Sequence, residues 1–147
     1  MVGNDVDLYV EEWWAIPFTP KTDVQATMIK AAIADAPSLP PIIDLGIYSE
    51  SGGLPGAPLT GGQGTATNVP VSGDCCDFAT ARLPGAALSR NVQYWLVGSP
   101  NVNAEKFMGI WQPSTNNDWA VLMPEQSSIW TGYTGDWLAA QIIGQSN

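Results

Sequence analysis

The chain of 147 residues carries 14 acidic against 5 basic residues, a net charge of −9, and no histidine. An acidic surface repels phosphate backbones and anionic lipid, which argues against nucleic acid or membrane surfaces as partners, and no stretch approaches the roughly 20 apolar residues of a membrane-spanning helix. Hydrophobic residues make up 45% of the chain and charged residues only 13%, with 15 Gly and 12 Pro, a profile that suits many short strands joined by turns better than a helical bundle.

The first segments in chain order read as strands, with one ambiguity. In the aromatic run Trp13–Phe18, the adjacent Trp13 and Trp14 must point to opposite faces of a strand. The segment Thr22–Asp35 fits a helix through its Ala, Met and Lys content, and a strand through alternation on two faces: Val24, Ala26 and Met28 on one, Ile29, Ala31 and Ile33 on the other. We favour the strand because the surroundings are β, and the helix stays open.

The segment Ile42–Leu59 predicts a strand, a Gly-Gly turn and a second, short strand. Its alternation gives two faces, with Ile43, Leu45 and Ile47 on one and Asp44, Gly46 and Tyr48 on the other. The following glycines at positions 61, 62 and 64 predict a loop or a wide turn, and Pro84-Gly85 predicts another turn.

Further strands are predicted at Thr65–Val71, Asp74–Leu83, Asn91–Gly98, Phe107–Trp111, Trp119–Met123 and Trp137–Ile143. Trp95, on the most apolar of these strands, is expected to fill the core. About eight to ten short strands at regular spacing predict one domain over residues 1–147, an antiparallel β-sandwich or jelly roll.

Seven tryptophans are many for this length, and several flank polar residues. An indole can stack on the C–H face of a sugar while amides bond its hydroxyls, so the last third is a candidate carbohydrate platform. The candidate residues are Trp111, Gln112, Asn116, Asn117, Trp119, Trp130 and Tyr133. The competing interpretations are that these aromatic residues fill the core, or that they form a protein-binding patch.

Two cysteines, Cys75 and Cys76, are adjacent. In a reducing cell they would be two thiols on opposite strand faces, whereas after export they could close a vicinal disulfide. They lack the further ligands of a tetrahedral metal site, so no metal is expected there. No cofactor is expected either. The carboxylates of Glu11, Glu12, Asp74 and Asp77 fit a solvated surface better than a glycosidase pair or a calcium site.

The order of several motifs resembles the small exported bacterial β-sandwich modules called choice-of-anchor domains. The matching pieces, between Thr22 and Gly144, are Ile47–Gly56, Cys75-Cys76, Leu88 to Val97 with Tyr94-Trp95, Trp111, Trp130 and Trp137. The chain departs from the family pattern in lacking a C-terminal sorting tail and in carrying Arg90-Asn91 where a Gly usually precedes the Tyr-Trp strand. The resemblance implies an exported, non-catalytic sandwich without specifying a ligand.

We therefore expect a secreted or cell-surface binding module, not an enzyme, whose signal peptide lies outside this sequence. Its expected partner is an extracellular glycan. The alternative is a structural or adhesive surface protein that self-associates or binds a protein partner. A carboxylate-dependent glycoside hydrolase is a distant third.

Overall fold

The computed structural model describes residues 6–8, 13–35, 42–67, 69–70, 78–101, 109–111, 119–123, 129–134 and 139–146. These ranges contain twelve strands and no helix. The strands are β1 Val6–Leu8, β2 Trp13–Phe18, β3 Val24–Ala31, β4 Ile33–Asp35, β5 Ile43–Ser51, β6 Leu54–Ala66, β7 Ala79–Leu88, β8 Tyr94–Pro100, β9 Gly109–Trp111, β10 Trp119–Met123, β11 Thr131–Thr134 and β12 Ala140–Ser146. No helix capable of crossing a membrane is found in the described part of the chain.

Two antiparallel sheets pack against each other, which confirms the predicted β-sandwich. The larger sheet has six strands in the order β11-β10-β2-β8-β5-β6, and the smaller has the order β12-β3-β7. A further sheet has three strands in the order β1-β9-β4. Its strand β4 directly follows β3 of the smaller sheet in the chain. The jelly-roll connectivity stays a prediction.

The core between the two sheets is built by alternating residues of the strands, with one irregularity in β3. Ile43, Leu45 and Ile47 of β5 are each at most 1% exposed, as their shared face predicts. The ambiguous segment Thr22–Asp35 forms strands β3 and β4, so the strand interpretation is confirmed. Its buried face carries Ile29, Ala31 and Ile33, as expected, but also Ala26, because an irregularity in the pairing between Ala26 and Met28 shifts the alternation.

The hairpin of β5 and β6 forms where the sequence predicts it. Gly52 and Gly53 have φ values of 64° and 83°, the left-handed region that a two-residue turn between twisted strands requires. The Glu50 side chain accepts a hydrogen bond from the Gly53 N–H and closes the turn. The second strand is 13 residues long, not short as predicted.

The prediction of a loop or a wide turn at the glycines 61, 62 and 64 is wrong, since all three lie within β6. The pairing of β6 with β5 is irregular here. Pro58 pairs with Tyr48 and Gln63 pairs with Gly46, so β6 has five residue steps where β5 has two. Gly61 and Gly64 allow a close approach to the other sheet: a Cβ at Gly61 would lie 2.2 Å from the Gly85 carbonyl oxygen, and one at Gly64 would lie 2.2 Å from the Arg82 carbonyl oxygen. Pro84-Gly85 is likewise part of a strand, β7, and the predicted turn there is also wrong.

Candidate functional site

The outer face of the six-stranded sheet, which points away from the core, carries a second hydrophobic cluster. Ala15, Tyr48, Trp95 and Val97 form it, and the half-buried Trp13, Leu54 and Trp130 pack against it. Trp95 is 0% exposed, as expected for a core residue, but it lies in this outer cluster, apart from the core between the sheets. Trp14 belongs to that inner core and Trp13 to the outer cluster, so the adjacent tryptophans do point to opposite faces.

The register of the strands arranges the outer face in transverse rows, because residues paired across antiparallel strands share a face. One row holds Thr65, Asp44 and Ser99, the next holds Gln63, Gly46, Val97 and Ala15, and the third holds Tyr48, Trp95 and Pro17. Gly46, in the middle row, carries no side chain and lies between Asp44 and Tyr48 on the same strand. Its position leaves a depression in this face of the sheet.

An open pocket of about 400 Å³ lies on this depression. Its aromatic lining residues are Trp13, which is half-buried, and Tyr48, which is buried, and the polar side chains of its lining are Asp44, Gln63, Thr65 and Ser99. The space depends on Gly46, because a Cβ there would lie 2.9 Å from Tyr48 Cε2 and 3.4 Å from Gln63 Cγ. We call this space the outer-face pocket.

Hydrogen bonds hold the carboxylate of Asp44 in place. Thr65 Oγ1 donates to Asp44 Oδ1 at 2.6 Å, and Asn101 Nδ2 donates to the same oxygen at 2.9 Å. Asn101 is itself buried, so its amide is a fixed partner for the carboxylate. Both hydrogen bonds go to Oδ1, so the carboxylate is held in position at the pocket while Oδ2 takes part in neither of them.

The phenol of Tyr48 is buried beside this carboxylate. Burial raises the pKa of Tyr48 above its usual value, a hydrogen bond with the Gln63 side chain lowers it, and the charge of Asp44 raises it further, so that the net shift is upward. The hydroxyl is therefore protonated at neutral pH, so that it can donate a hydrogen bond to a ligand.

This shift predicts a contribution of Tyr48 to alkaline unfolding. The folded protein holds the phenolic proton of Tyr48 more tightly than the unfolded chain does, and this difference stabilises the folded state. The stabilisation is complete below the unfolded pKa of about 10 and is lost as the pH rises through the folded pKa. Tyr48→Phe should make the free energy of unfolding fall less steeply above about pH 10. Urea unfolding of both proteins across this range measures the difference, and parallel pH profiles would contradict it.

The residues predicted as the site from sequence fall in different parts of the fold. Trp111 lies on β9, which pairs with β1 and β4, whereas Trp119 and Tyr133 lie on β10 and β11 at one side of the six-stranded sheet. Trp130 packs against the outer cluster. Gln112, Asn116 and Asn117 lie outside the described residues, as do Cys75, Cys76 and the four carboxylates Glu11, Glu12, Asp74 and Asp77.

The outer-face pocket was not predicted as a site, although part of its pattern is present in the sequence. The alternation of β5 already places Asp44, Gly46 and Tyr48 on one face, opposite the apolar residues. A polar residue, a glycine and a tyrosine in that order on an outward face could have indicated a pocket. Its other walls come from β2, β6 and β8, and only the strand register brings them together.

Among the residues that the structure describes, no group of three or more Cys, Asp or Glu side chains could hold a metal ion. Comparison of the chain with protein-family models, with curated proteins and with solved structures finds no match.

Proposed function

We propose that the protein is a non-catalytic, exported module that binds an extracellular carbohydrate in the outer-face pocket. The observation that carries the proposal is the meeting of two aromatic side chains, Trp13 and Tyr48, with four polar ones in one open depression. A sugar ring has an apolar C–H face and a rim of hydroxyls, and it needs both kinds of surface together.

The size and shape of the pocket support this ligand class. A volume of about 400 Å³ lies within the range of roughly 300–1,000 Å³ that small-molecule sites occupy. The depression crosses β6, β5 and β8, so it suits a chain of sugars lying across the strands.

The polar groups are matched to hydroxyl recognition. Asp44 is an acceptor fixed by two hydrogen bonds, and the protonated Tyr48 phenol and Gln63 amide offer donors beside it. Because these side chains are already held in position, they lose less conformational entropy when a ligand binds. The described lining contributes one carboxylate, and hydroxyl recognition requires no second.

Trp13→Ala should weaken binding of a soluble oligosaccharide by about 10- to 100-fold, since an aromatic anchor in a pocket contributes roughly 1.4–3 kcal/mol. The ligand is chosen by a glycan array with the unmodified protein, and affinity is measured by calorimetry and by tryptophan fluorescence. Trp13→Phe should retain most of the affinity because it keeps an aromatic ring.

Ile143→Ala is the matched control, because Ile143 is an exposed apolar side chain on β12 of the other sheet. Its affinity should equal that of the unmodified protein. A folded Trp13→Ala variant that binds with unchanged affinity, or silence of the unmodified protein across a broad array, would overturn the proposal.

A further inference from the structure

The charge of Asp44 is uncompensated at the outer-face pocket. Both of its hydrogen bonds, from Thr65 and Asn101, go to Oδ1, and both donors are neutral. Within the described residues, Oδ2 accepts no hydrogen bond and no lysine or arginine pairs with the carboxylate. Asp44 is also the single charged residue of the described lining.

The carboxylate of Asp44 is half-buried, and its second oxygen is left for a positively charged or strongly donating partner. Its field acts within the pocket, because the charge of Asp44 raises the pKa of the neighbouring Tyr48. The chain as a whole, at −9, adds to the attraction of cations and to the repulsion of anions.

The aromatic walls favour the same kind of group. The faces of tryptophan and tyrosine rings attract a cation within about 6 Å of the ring centre, and the attraction grows as the cation loses water. Trp13 and Tyr48 line the pocket together with Asp44. An ammonium group would gain a charge-assisted hydrogen bond and a ring contact, whereas a neutral hydroxyl gains only an ordinary hydrogen bond.

We propose that the outer-face pocket prefers a glycan that carries free, protonated amino groups, and that it rejects glycans bearing carboxylates or sulfates. This inference rests on the proposed function and names the class of sugar. Asp44 is the residue that sets the preference.

The test compares two soluble oligosaccharides of equal length, oligomers of glucosamine and of N-acetylglucosamine, by calorimetry. The unmodified protein should bind the glucosamine oligomer at least about 10-fold more tightly, a difference of roughly 1.4 kcal/mol. Asp44→Asn keeps the side chain's size and its acceptor for Thr65, and should reduce the preference to about twofold or less.

Asp23→Asn is the matched control, because it removes one negative charge at an exposed residue outside the pocket that contacts the Arg90 N–H. It should leave the preference intact. An equal loss in Asp23→Asn and Asp44→Asn would show general attraction to an acidic surface and would overturn the inference.

Two further outcomes separate the inference from the proposed function. Equal binding of the two oligomers, or binding that Asp44→Asn leaves unchanged, overturns the amino-sugar preference while carbohydrate binding stands. Failure of both oligomers and of every neutral glycan overturns both proposals. A lysine oligomer that binds as tightly as the glucosamine oligomer would overturn the assignment to a sugar.

Discussion

Trp95→Ala is expected to lower the free energy of unfolding by about 3–5 kcal/mol, the usual cost of truncating a buried large aromatic residue. The indole is 0% exposed although it lies on the outer face of the sheet. Its burial depends on Tyr48 and Val97 beside it and on the half-buried side chains, Trp130 among them, that pack on the cluster. Its removal would leave a cavity that the rigid sheet cannot close.

Denaturant unfolding measures this loss, and Ile143→Ala provides the control at an exposed apolar site. The control should change stability by no more than about 0.5 kcal/mol. A loss below about 1 kcal/mol for Trp95→Ala would mean that the outer face is not covered as described. The pocket would then lack the firm edge that the third row of residues gives it.

Gly64→Ala is expected to cost about 1–3 kcal/mol through overpacking. A Cβ at this position would lie 2.2 Å from the Arg82 carbonyl oxygen and 3.1 Å from the Arg82 carbonyl carbon. Both neighbours are backbone atoms of β7, so no flexible side chain can move aside. The edges of the two sheets, β6 and β7, would have to separate.

Thr60→Ala is the control for this substitution, because Thr60 is an exposed residue of the same strand. Alanine should have little effect there. If Gly64→Ala unfolds at the same denaturant concentration as the unmodified protein, the close approach of the two sheets is wrong.

The class of fold follows from local patterns in this sequence. The alternation of Ile43, Leu45 and Ile47 and the Gly52-Gly53 turn are local, and the strand period and turn chemistry dictate them. The ambiguous segment Thr22–Asp35 is decided by burial: the alternating face of Ile29 and Ala31 gains more from the core than Ala and Met gain from helix propensity.

What the sequence could not predict depends on contacts between distant segments. The glycines at 61 and 64 look like loop residues, and their place in a strand is explained only by the backbone of β7 lying against them. Trp95 reads as a core residue because its strand is apolar on both faces, and its outer position is visible only once the sheets are assembled.

The candidate site shows the same division. Asp44 and Tyr48 could be assigned to one face from their spacing, but Thr65, Ser99 and Trp13 join them through pairing over long sequence distances. The last third of the chain is rich in tryptophan, whereas the indole that lines the pocket belongs to Trp13 on the second strand. A count of aromatic residues does not say which of them share a face.

The most direct test of the carbohydrate site is a map of backbone amide shifts by NMR as an oligosaccharide is titrated into the protein. Binding in the outer-face pocket should shift the amide signals of Asp44, Gly46, Gln63, Thr65 and Ser99 on β5, β6 and β8, together with the indole N–H signal of Trp13. Shifts concentrated instead on β3 and β12 of the other sheet, with the outer-face residues unmoved at saturation, would contradict it.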